Sequence, residues 1–483
     1  MQLKQLVQQL PALSVEGSLE REVAGIAYDS RRVTPGMVFV AIPGQRTDGH
    51  DFINTAIERG ATAIICERNG AFPQRATKIK VADVREALAR AAISFYQHPS
   101  AKLKVIGVTG TNGKTTVAFI AKTILEAAGI KTGLIGTVHY EIGERVIPAQ
   151  RTTPESLEVQ QMMAQMLRAD CEACVMEVSS HALEQKRVFG VEFDVGIFTN
   201  LTRDHLDYHG TMERYFAAKT KLFTALAQGA KKAAAVINLD DAFGARLAGI
   251  ARAEAELTYG LQKAARLRAT QVQLKKDGSR FAVETPDRKL VCRLPLIGRH
   301  NIYNALAAVA TGMERGLSPS EATRALATLA PPDKRGAVVQ VGNITVINDC
   351  YNSNPTALDA MVDTLAAMPA KRRIVVAGEM LELGPSGEEL HRRSGQHMAK
   401  KGINILVGVR GLAQQMVDAA RGAGIRAEFV ATPEEAGEWL VRETRDGDVV
   451  LLKASRGVKL ERALETVVGR QSSVVSKSKT ADS

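Results

Sequence analysis

Cysteine, aromatic residues and long apolar runs are all scarce in this chain of 483 residues, and each scarcity excludes a class of protein. The five cysteines (Cys66, Cys171, Cys174, Cys292 and Cys350) are odd in number and scattered, which is typical of a reducing compartment rather than a disulfide framework. No apolar run approaches the length that crosses a bilayer, and the N-terminus has helical leucine spacing rather than a signal-peptide core. We therefore expect a cytoplasmic protein without membrane insertion.

Aromatic residues make up only 5% of the chain, which bears on how its positive charge is interpreted. A formal charge of +11 is compatible with nucleic-acid binding, but the basic residues are spread along the chain and few side chains can stack on bases. Anionic small molecules such as nucleotides account for the charge equally well. We expect no nucleic-acid partner.

The chain is too long for a single hydrophobic core, and its pattern changes twice. We predict a small N-terminal α/β domain at 1–98, a central P-loop-type domain with a mostly parallel sheet at 99–331, and a C-terminal Rossmann-like α/β domain at 332–483. The first domain either holds a ligand in its polar loops or is a structural appendage. The Ser- and Lys-rich segment 471–483 is predicted to be disordered.

The most informative stretch is a glycine-rich turn between a predicted strand and a predicted helix, from Lys104 to Val117. Gly110 and Gly113 allow the backbone to approach a polyphosphate closely, Lys114 reaches terminal phosphates, and the Thr115 hydroxyl suits Mg²⁺. The usual pattern has a further glycine where this chain has Val108. Because Gly-Lys-Thr follows a strand and opens a helix, the stretch still predicts an ATP site.

Polar residues follow the next predicted strands, at the sheet edge where ligands collect. Glu177, Asn200, Asp204 and His205 all fall there. Glu177 and His205, together with Thr115, suit Mg²⁺, although a lone histidine is more often structural than a ligand.

Lys219 has an unusual place on its predicted helix. Its neighbours three and four positions away are Tyr215, Phe216, Leu222 and Phe223. An ammonium on an apolar stripe is unfavourable unless it finds a partner or loses its charge. Lys219 either extends its amine to solvent or is a buried lysine that serves the active site.

Together these motifs resemble the Mur ligases, ATP-dependent amide ligases that add successive amino acids to the peptidoglycan precursor. The resemblance covers essentially the whole chain and rests on Asp29–Arg31, Gly110–Thr116, Arg151–Pro154, Glu177–Leu183 with Gln185 and Arg187, and Asn200–Gly210. The first two domains are similar to MurE, the branch that adds the third residue to UDP-MurNAc-L-Ala-D-Glu.

The resemblance implies a role for each matching residue. The implied catalytic set is Lys114, Lys219, His205 and Glu177; Mg²⁺ would be held by Thr115, Glu177, His205 and a carbamylated Lys219. ATP would contact Gly110, Thr111, Asn112, Gly113, Lys114, Thr115, Thr116, His300, Asn301, Asn304 and Arg335. UDP-MurNAc-dipeptide would contact Tyr28, Ser30, Gln45, Arg46, Thr47, Arg151, Thr152, Thr153, Ser179, Gln185 and Arg187.

The third domain departs from MurE. It lacks the Asp-Asn-Pro-Arg motif of enzymes that add diaminopimelate. Its segments Asn348–Pro355, Gly378–Gly384 and Lys453–Arg456 instead resemble MurF, the branch that adds D-Ala-D-Ala to the tripeptide. Candidate contacts for the incoming amino acid are Asp349, Tyr351, Asn352, Glu379, Lys453, Ser455 and Arg456.

We expect a monomeric, ATP- and Mg²⁺-dependent ligase of peptidoglycan synthesis, and hence of cell-wall formation, cell shape and division. It would add a third amino acid, meso-diaminopimelate or otherwise L-lysine or another diamino acid, to UDP-MurNAc-L-Ala-D-Glu through an acyl phosphate. The alternatives are MurF-type activity, a folylpolyglutamate synthase, a non-catalytic nucleotide-binding regulator of wall synthesis, and a nucleic-acid-dependent ATPase.

Overall fold

The computed structural model describes residues 1–44, 47–68, 73, 75–330 and 334–479, with side chains described as far as residue 470. Three β-sheets of five, eleven and six strands follow one another along the chain. They lie within the three predicted domains, whose exact boundaries stay a prediction. Gln45, Arg46 and residues 331–333, which include the predicted boundary, lie outside the described residues.

The first sheet has the strand order β1-β5-β4-β3-β2, parallel except for the antiparallel edge pair β1–β5. Its strands are β1 Ala12–Glu16, β2 Gly25–Ala27, β3 Met37–Val40, β4 Ala63–Cys66 and β5 Thr77–Val81. The accompanying helices are α1 Leu3–Val7, α2 Ile53–Glu58 and α3 Val84–Phe95, and the short helix α4 Pro99–Lys102 leads into the second domain.

The second sheet has the order β16-β15-β14-β13-β12-β11-β6-β10-β7-β8-β9. Its strands are β6 Lys104–Thr109, β7 Thr132–Ile135, β8 His139–Ile142, β9 Arg145–Pro148, β10 Ala173–Glu177, β11 Val195–Phe198, β12 Ala234–Asn238, β13 Ala255–Gly260, β14 Leu267–Lys275, β15 Gly278–Glu284 and β16 Lys289–Leu294. The helices are α5 Lys114–Ala127, α6 Ser156–Arg168, α7 Ser180–Glu184, α8 Leu206–His209, α9 Met212–Gln228, α10 Ala242–Ala248, α11 Arg299–Glu314 and α12 Pro319–Ala325.

The middle of this sheet is parallel, as predicted, because its strands are joined through helices that cover both faces. Two hydrophobic cores result: one packs α5 and α11 against the sheet, and the other packs α6 and α9 against it. Antiparallel hairpins extend the sheet at both ends, through β8–β9 and β14–β16. These extensions were not predicted.

The third sheet has the order β17-β18-β22-β19-β20-β21, and only the edge pair β17–β18 is antiparallel. Its strands are β17 Ala337–Val341, β18 Ile344–Asn348, β19 Arg372–Gly378, β20 Ile405–Val409, β21 Arg426–Val430 and β22 Asp448–Lys453. The helices are α13 Pro355–Ala366, α14 Gly387–Lys400, α15 Ala413–Gly422, α16 Pro433–Glu443 and α17 Glu461–Lys479.

Helix α17 extends to residue 479, and residues 480–483 lie outside the described part of the chain. The disorder expected for 471–483 stays a prediction. Of the helices described, none combines the length and apolar character that a bilayer crossing requires. All five cysteines are free and buried, as expected of a chain without a disulfide framework.

The register of three neighbouring strands in the central sheet brings the segments with the predicted site residues together. Strand β6 pairs in parallel with β10 on one side and β11 on the other, aligning Val108 with Glu177 and Thr109 with Phe198. The three strands therefore end at one level, and the segments that follow them meet there.

Candidate active site

The predicted phosphate loop joins β6 to α5, which begins at Lys114 as expected. Gly110 has φ 144° and Gly113 has φ 88°, backbone conformations that favour glycine. A Cβ at Gly110 would collide with the Thr199 hydroxyl, and one at Gly113 with the Asn304 amide. Glycine is thus required here both by backbone conformation and by packing.

Lys114 folds back over the loop. Its Nζ donates to the carbonyl oxygens of Gly110 at 2.9 Å and Thr111 at 2.8 Å. Burial lowers the pKa of the Lys114 amine, and the carboxylates of Glu177 and Asp204 oppose that shift. The lysine therefore stays at the mouth of the loop, where phosphates would lie.

Glu177 is a carboxylate bonded to the loop through Thr115 and is only 1% exposed. It accepts hydrogen bonds from the Thr115 hydroxyl at 3.0 Å, the Thr137 hydroxyl at 2.8 Å and the Thr137 amide at 2.8 Å. Among the described ion pairs none involves Glu177. A buried carboxylate that faces hydroxyl groups rather than a cation has the donor chemistry that Mg²⁺ takes.

Lys219 lies in α9 and is 1% exposed, so of the two possibilities the structure favours the buried lysine. Its Nζ donates to the Gly110 carbonyl at 2.8 Å and sits 4.5 Å from the centre of the Tyr215 ring. Burial, reinforced by the Lys114 charge, places the pKa of Lys219 well below its usual value. This shift favours the neutral amine, which is the form that reacts with carbon dioxide to give a carbamate.

His205 has acidic neighbours from two domains. Its Nδ1 lies 3.9 Å from Asp204 and 3.4 Å from Glu382. Among the described residues, Asp204, His205 and Glu382 lie close enough together for their carboxylates and imidazole to hold one metal ion. The sequence analysis placed Asp204 and His205 at this edge of the sheet but proposed only His205 as a metal ligand, and it did not foresee the approach of Glu382.

The third domain contacts the phosphate loop directly. The Arg335 guanidinium donates to the Thr115 hydroxyl at 3.0 Å, and the Asn354 amide donates to Asn112 at 2.9 Å. The Tyr351 hydroxyl donates to the Thr137 carbonyl at 3.2 Å. The loop is therefore enclosed between the second and third domains.

A cavity of about 460 Å³ lies between these domains. Of the predicted ATP residues, all but Gly110 line it, and Asn304 is held by a hydrogen bond to Asn301 at 2.9 Å. Burial lowers the pKa of His300 to about 4. Asn200, which the sequence analysis placed at this edge without a specific role, also lines the cavity, and the predictions missed further lining residues that include Thr137, Asn238, Asp240, Tyr259, Tyr303 and Asn354.

Among the missed residues, Asp240 makes several hydrogen bonds that fix its side chain. It accepts from the backbone amides of residues 261–263 and from the Tyr303 hydroxyl. No motif marked it, since its partners are a distant turn and a helix on the other side of the cavity. Asn200, by contrast, lies within the motif Asn200–Gly210. Its backbone carbonyl accepts from the Thr111 amide, and its side-chain Oδ1 accepts from the Asn112 amide.

Among the predicted nucleotide-substrate residues, Tyr28 of the first domain contacts the second domain, and Thr152, Thr153 and Ser179 lie beside Thr137 and Glu177. The Tyr28 hydroxyl donates to Glu158 at 2.9 Å, and the hydroxyl oxygens of Thr152 and Thr137 lie 3.2 Å apart. Thr153 donates to the Glu177 carbonyl at 2.7 Å and accepts from the Ser179 amide at 3.1 Å. The remaining described members of this set are Ser30, Thr47, Arg151, Gln185 and Arg187, whereas Gln45 and Arg46 lie outside the described residues.

The candidates for the incoming amino acid divide into two groups. The cavity is lined by Asp349, Tyr351, Asn352 and Lys453. The Lys453 amine donates a hydrogen bond to the Asp349 carboxylate at 2.5 Å. The other three are not among the described lining residues: Glu379 accepts from the Leu412 amide, Ser455 donates to the Ser353 carbonyl, and Arg456 donates to the Tyr351 hydroxyl.

Family models match three segments of the chain. Residues 22–96 match the "Mur ligase family, catalytic domain", residues 108–312 the "Mur ligase middle domain", and residues 334–456 the "Mur ligase, glutamate ligase domain".

Solved structures share the whole fold. MurF from Acinetobacter baumannii superimposes with a TM-score of 0.75 at 24% identity, over 97% of this chain and 98% of that one. A UDP-N-acetylmuramoyl-L-alanyl-D-glutamate–2,6-diaminopimelate ligase gives 0.71 at 23% identity, over 98% and 99%. At these identities the similarity concerns the fold alone.

Curated relatives are closer in sequence. UDP-N-acetylmuramoyl-L-alanyl-D-glutamate–2,6-diaminopimelate ligases from Geobacter metallireducens, Solibacter usitatus and Geobacillus kaustophilus are 42%, 39% and 38% identical to this chain. The matches cover 78%, 90% and 94% of this chain and 74%, 88% and 94% of the relatives. The chain therefore belongs to the Mur ligase family of ATP-dependent amide ligases.

Proposed function

We propose that this protein adds the third amino acid to UDP-MurNAc-L-Ala-D-Glu in the cytoplasm, with meso-diaminopimelate as the amino acid. The carrying observation is that two segments meet at Glu177. Its carboxylate accepts from Thr115 of the phosphate loop, and its carbonyl accepts from Thr153 of the segment matched to the dipeptide-binding motif. Such a junction holds the γ-phosphate of ATP beside the end of a bound dipeptide. The relatives named for this reaction support the same substrates.

The chemistry follows from that proximity. The side-chain carboxylate of D-Glu attacks the γ-phosphorus of ATP, which gives an acyl phosphate and ADP. The amine of the incoming amino acid then attacks the acyl carbon, and phosphate leaves from a tetrahedral intermediate. Little covalent chemistry is asked of the protein, because positioning and charge neutralisation dominate phosphoryl transfer.

The chain's own groups divide this work. Lys114 and the N-terminus of α5 attract the phosphates. Arg335 of the third domain adds a guanidinium, which donates to the Thr115 hydroxyl. Enclosure between two domains excludes water, which protects an acyl phosphate from hydrolysis.

Thr115 and Glu177 fit a magnesium ion, because a buried carboxylate and a hydroxyl face each other at 3.0 Å. By the family resemblance, His205 and a carbamylated Lys219 would complete the ligands, whereas among the described residues His205 is grouped with Asp204 and Glu382. When bound, Mg²⁺ would neutralise charge on the transferring phosphoryl group.

MurF-type addition of D-Ala-D-Ala to the tripeptide nucleotide is the second candidate. It is favoured by the third-domain segment Asp349–Asn354 and by Lys453, which line the cavity and match the MurF pattern in a chain that lacks Asp-Asn-Pro-Arg. The first two domains favour the dipeptide nucleotide.

Phosphate release tests the proposal. The enzyme is supplied with Mg-ATP and UDP-MurNAc-L-Ala-D-Glu, and each of meso-diaminopimelate, L-lysine, L-ornithine and D-Ala-D-Ala is offered in turn. UDP-MurNAc-tripeptide is run in parallel. Turnover of the dipeptide nucleotide with meso-diaminopimelate is expected, and turnover of only the tripeptide nucleotide with D-Ala-D-Ala would contradict it.

A further inference from the structure

Three arginines from two domains converge on one carboxylate at the junction of the first and second domains. Glu155 is 8% exposed and is paired with Arg151, with Arg187 Nε at 3.1 Å and with Arg85 Nη1 at 3.6 Å. Arg85 belongs to the first domain, whereas the other two belong to the second. We call this group the arginine cluster: Arg85, Arg151 and Arg187 around Glu155.

Arg85 is held in place by the start of helix α3. Asp83 caps the helix by accepting from the backbone amides of Arg85 and Glu86, at 3.0 Å and 2.9 Å. Lys186 of the second domain then pairs with Asp83 at 2.8 Å and with Glu86 at 2.7 Å. The helix start is thus fixed to the loop that carries Arg187, which directs Arg85 towards Glu155.

The cluster has an excess of positive charge. Three guanidinium groups face a single carboxylate, which leaves two positive charges uncompensated among its members. Burial lowers the pKa of Arg187; Glu155 opposes that shift, and Arg151 and Arg85 add to it. The Arg187 Nε is buried and makes no hydrogen bond of acceptable geometry among the described residues. Partly buried like charges in this arrangement favour an anionic ligand.

The cluster also lies next to the reaction centre. Arg187 Nη1 donates to the Thr153 carbonyl at 3.0 Å, and the Thr153 hydroxyl donates to the Glu177 carbonyl at 2.7 Å. An anionic group that reaches the cluster therefore lies one residue away from the carboxylate that faces the phosphate loop. Under the proposed function, a nucleotide substrate that spans the first two domains would pass this position.

We propose that Arg85 is a further substrate-binding residue, which joins Arg151 and Arg187 in binding an oxyanion of the nucleotide substrate. The inference rests on the proposed function. Phosphate and carboxylate oxygens share the chemistry that guanidinium groups recognise, so the oxyanion is either the diphosphate or the carboxylate of the peptide.

The test measures steady-state kinetics of the full-length enzyme with Arg85→Ala and Arg85→Gln, each beside the unmutated protein. Arg90→Ala is the matched control, since Arg90 lies on the same helix but pairs with Glu86 and lies over the Phe189 ring. Loss of one charge-assisted contact raises the KM for the nucleotide about 10- to 100-fold. The kcat and the KM for ATP stay within about threefold, which shows that the variants fold.

Calorimetric binding of UDP, UDP-MurNAc and UDP-MurNAc-L-Ala-D-Glu identifies the oxyanion. Weaker binding of all three by Arg85→Ala assigns it to the diphosphate, and weaker binding of only the third assigns it to the peptide carboxylate. A nucleotide KM within twofold of the unmutated value, or an equal rise in Arg90→Ala, overturns the inference. Absence of turnover by the unmutated enzyme instead contradicts the proposed function, so the two failures are distinguishable.

Discussion

Replacing Lys219 by alanine tests the proposed metal site at a lysine that the sequence marks as unusual and the structure buries. The side chain is 1% exposed and donates to the Gly110 carbonyl of the phosphate loop at 2.8 Å. At pH 8 a lysine with a pKa of about 10.4 is neutral in roughly 0.4% of molecules. Burial makes the neutral fraction of Lys219 far larger, which allows carbamylation.

We expect Lys219→Ala to lower kcat about 10²- to 10³-fold, the range for loss of one preorganised group that stabilises transition-state charge. Short carboxylic acids such as formate and acetate would restore part of the rate, since they supply the missing carboxylate. Lys219→Arg would stay inactive, because it restores a cation and cannot be carbamylated.

Lys221→Ala is the matched control. Lys221 lies two residues further along α9, is exposed, and pairs with Glu184 at 2.5 Å. Its variant should keep its rate within about twofold, as is usual for surface ion pairs. The assay is phosphate release with the nucleotide, Mg-ATP and the amino acid. Full activity in Lys219→Ala would refute the reasoning, and recovery in Lys219→Arg would show that the residue acts as a cation.

Three further predictions follow from the site. Glu177→Gln keeps the shape of the side chain that faces Thr115 and Thr137 but removes its negative charge. It should therefore raise the Mg²⁺ concentration needed for half-maximal rate at least tenfold. An unchanged Mg²⁺ requirement would contradict a role for Glu177 as a ligand. Gly113→Ala places a Cβ at φ 88° against Asn304, and it should lower the unfolding free energy in urea by about 1–3 kcal/mol and weaken ATP binding; wild-type values in both measurements argue against the close fit. Burial depresses the pKa of His300 from 6.5 to about 4, so the unfolded chain takes up this proton first, and the stability contribution that is present above pH 6.5 is lost as pH falls towards 4. His300→Gln should therefore flatten the decline in urea stability between those pH values, and a decline as steep as in the unmutated protein would contradict the buried, neutral imidazole.

The phosphate loop, Glu177 and Lys219 could be predicted because each has a local signal. Glycines precede a lysine at a strand-to-helix turn, an acid follows an apolar strand, and an amine interrupts an apolar helix face. Local patterns also give the parallel centre of the large sheet, since its strands alternate with helices.

Contacts between distant segments could not be predicted. Arg335 and Thr115 are 220 positions apart, and Asp240 and Tyr303 are 63 apart, so nothing in either neighbourhood specifies its partner. Arg85 has no motif of its own, and only the docking of α3 onto the second domain directs it to Glu155. The antiparallel hairpins at the sheet ends depend on edge pairing, which short alternating runs specify weakly.

The most direct test of the central claim is a competition in one reaction mixture. UDP-MurNAc-L-Ala-D-Glu and UDP-MurNAc-tripeptide are supplied together with Mg-ATP, meso-diaminopimelate and D-Ala-D-Ala, and the products are identified by mass spectrometry. The account predicts that the dipeptide nucleotide gains one diaminopimelate residue, with one phosphate released for each product molecule. Consumption of the tripeptide nucleotide alone, with gain of D-Ala-D-Ala, would contradict it and assign the chain to the MurF reaction.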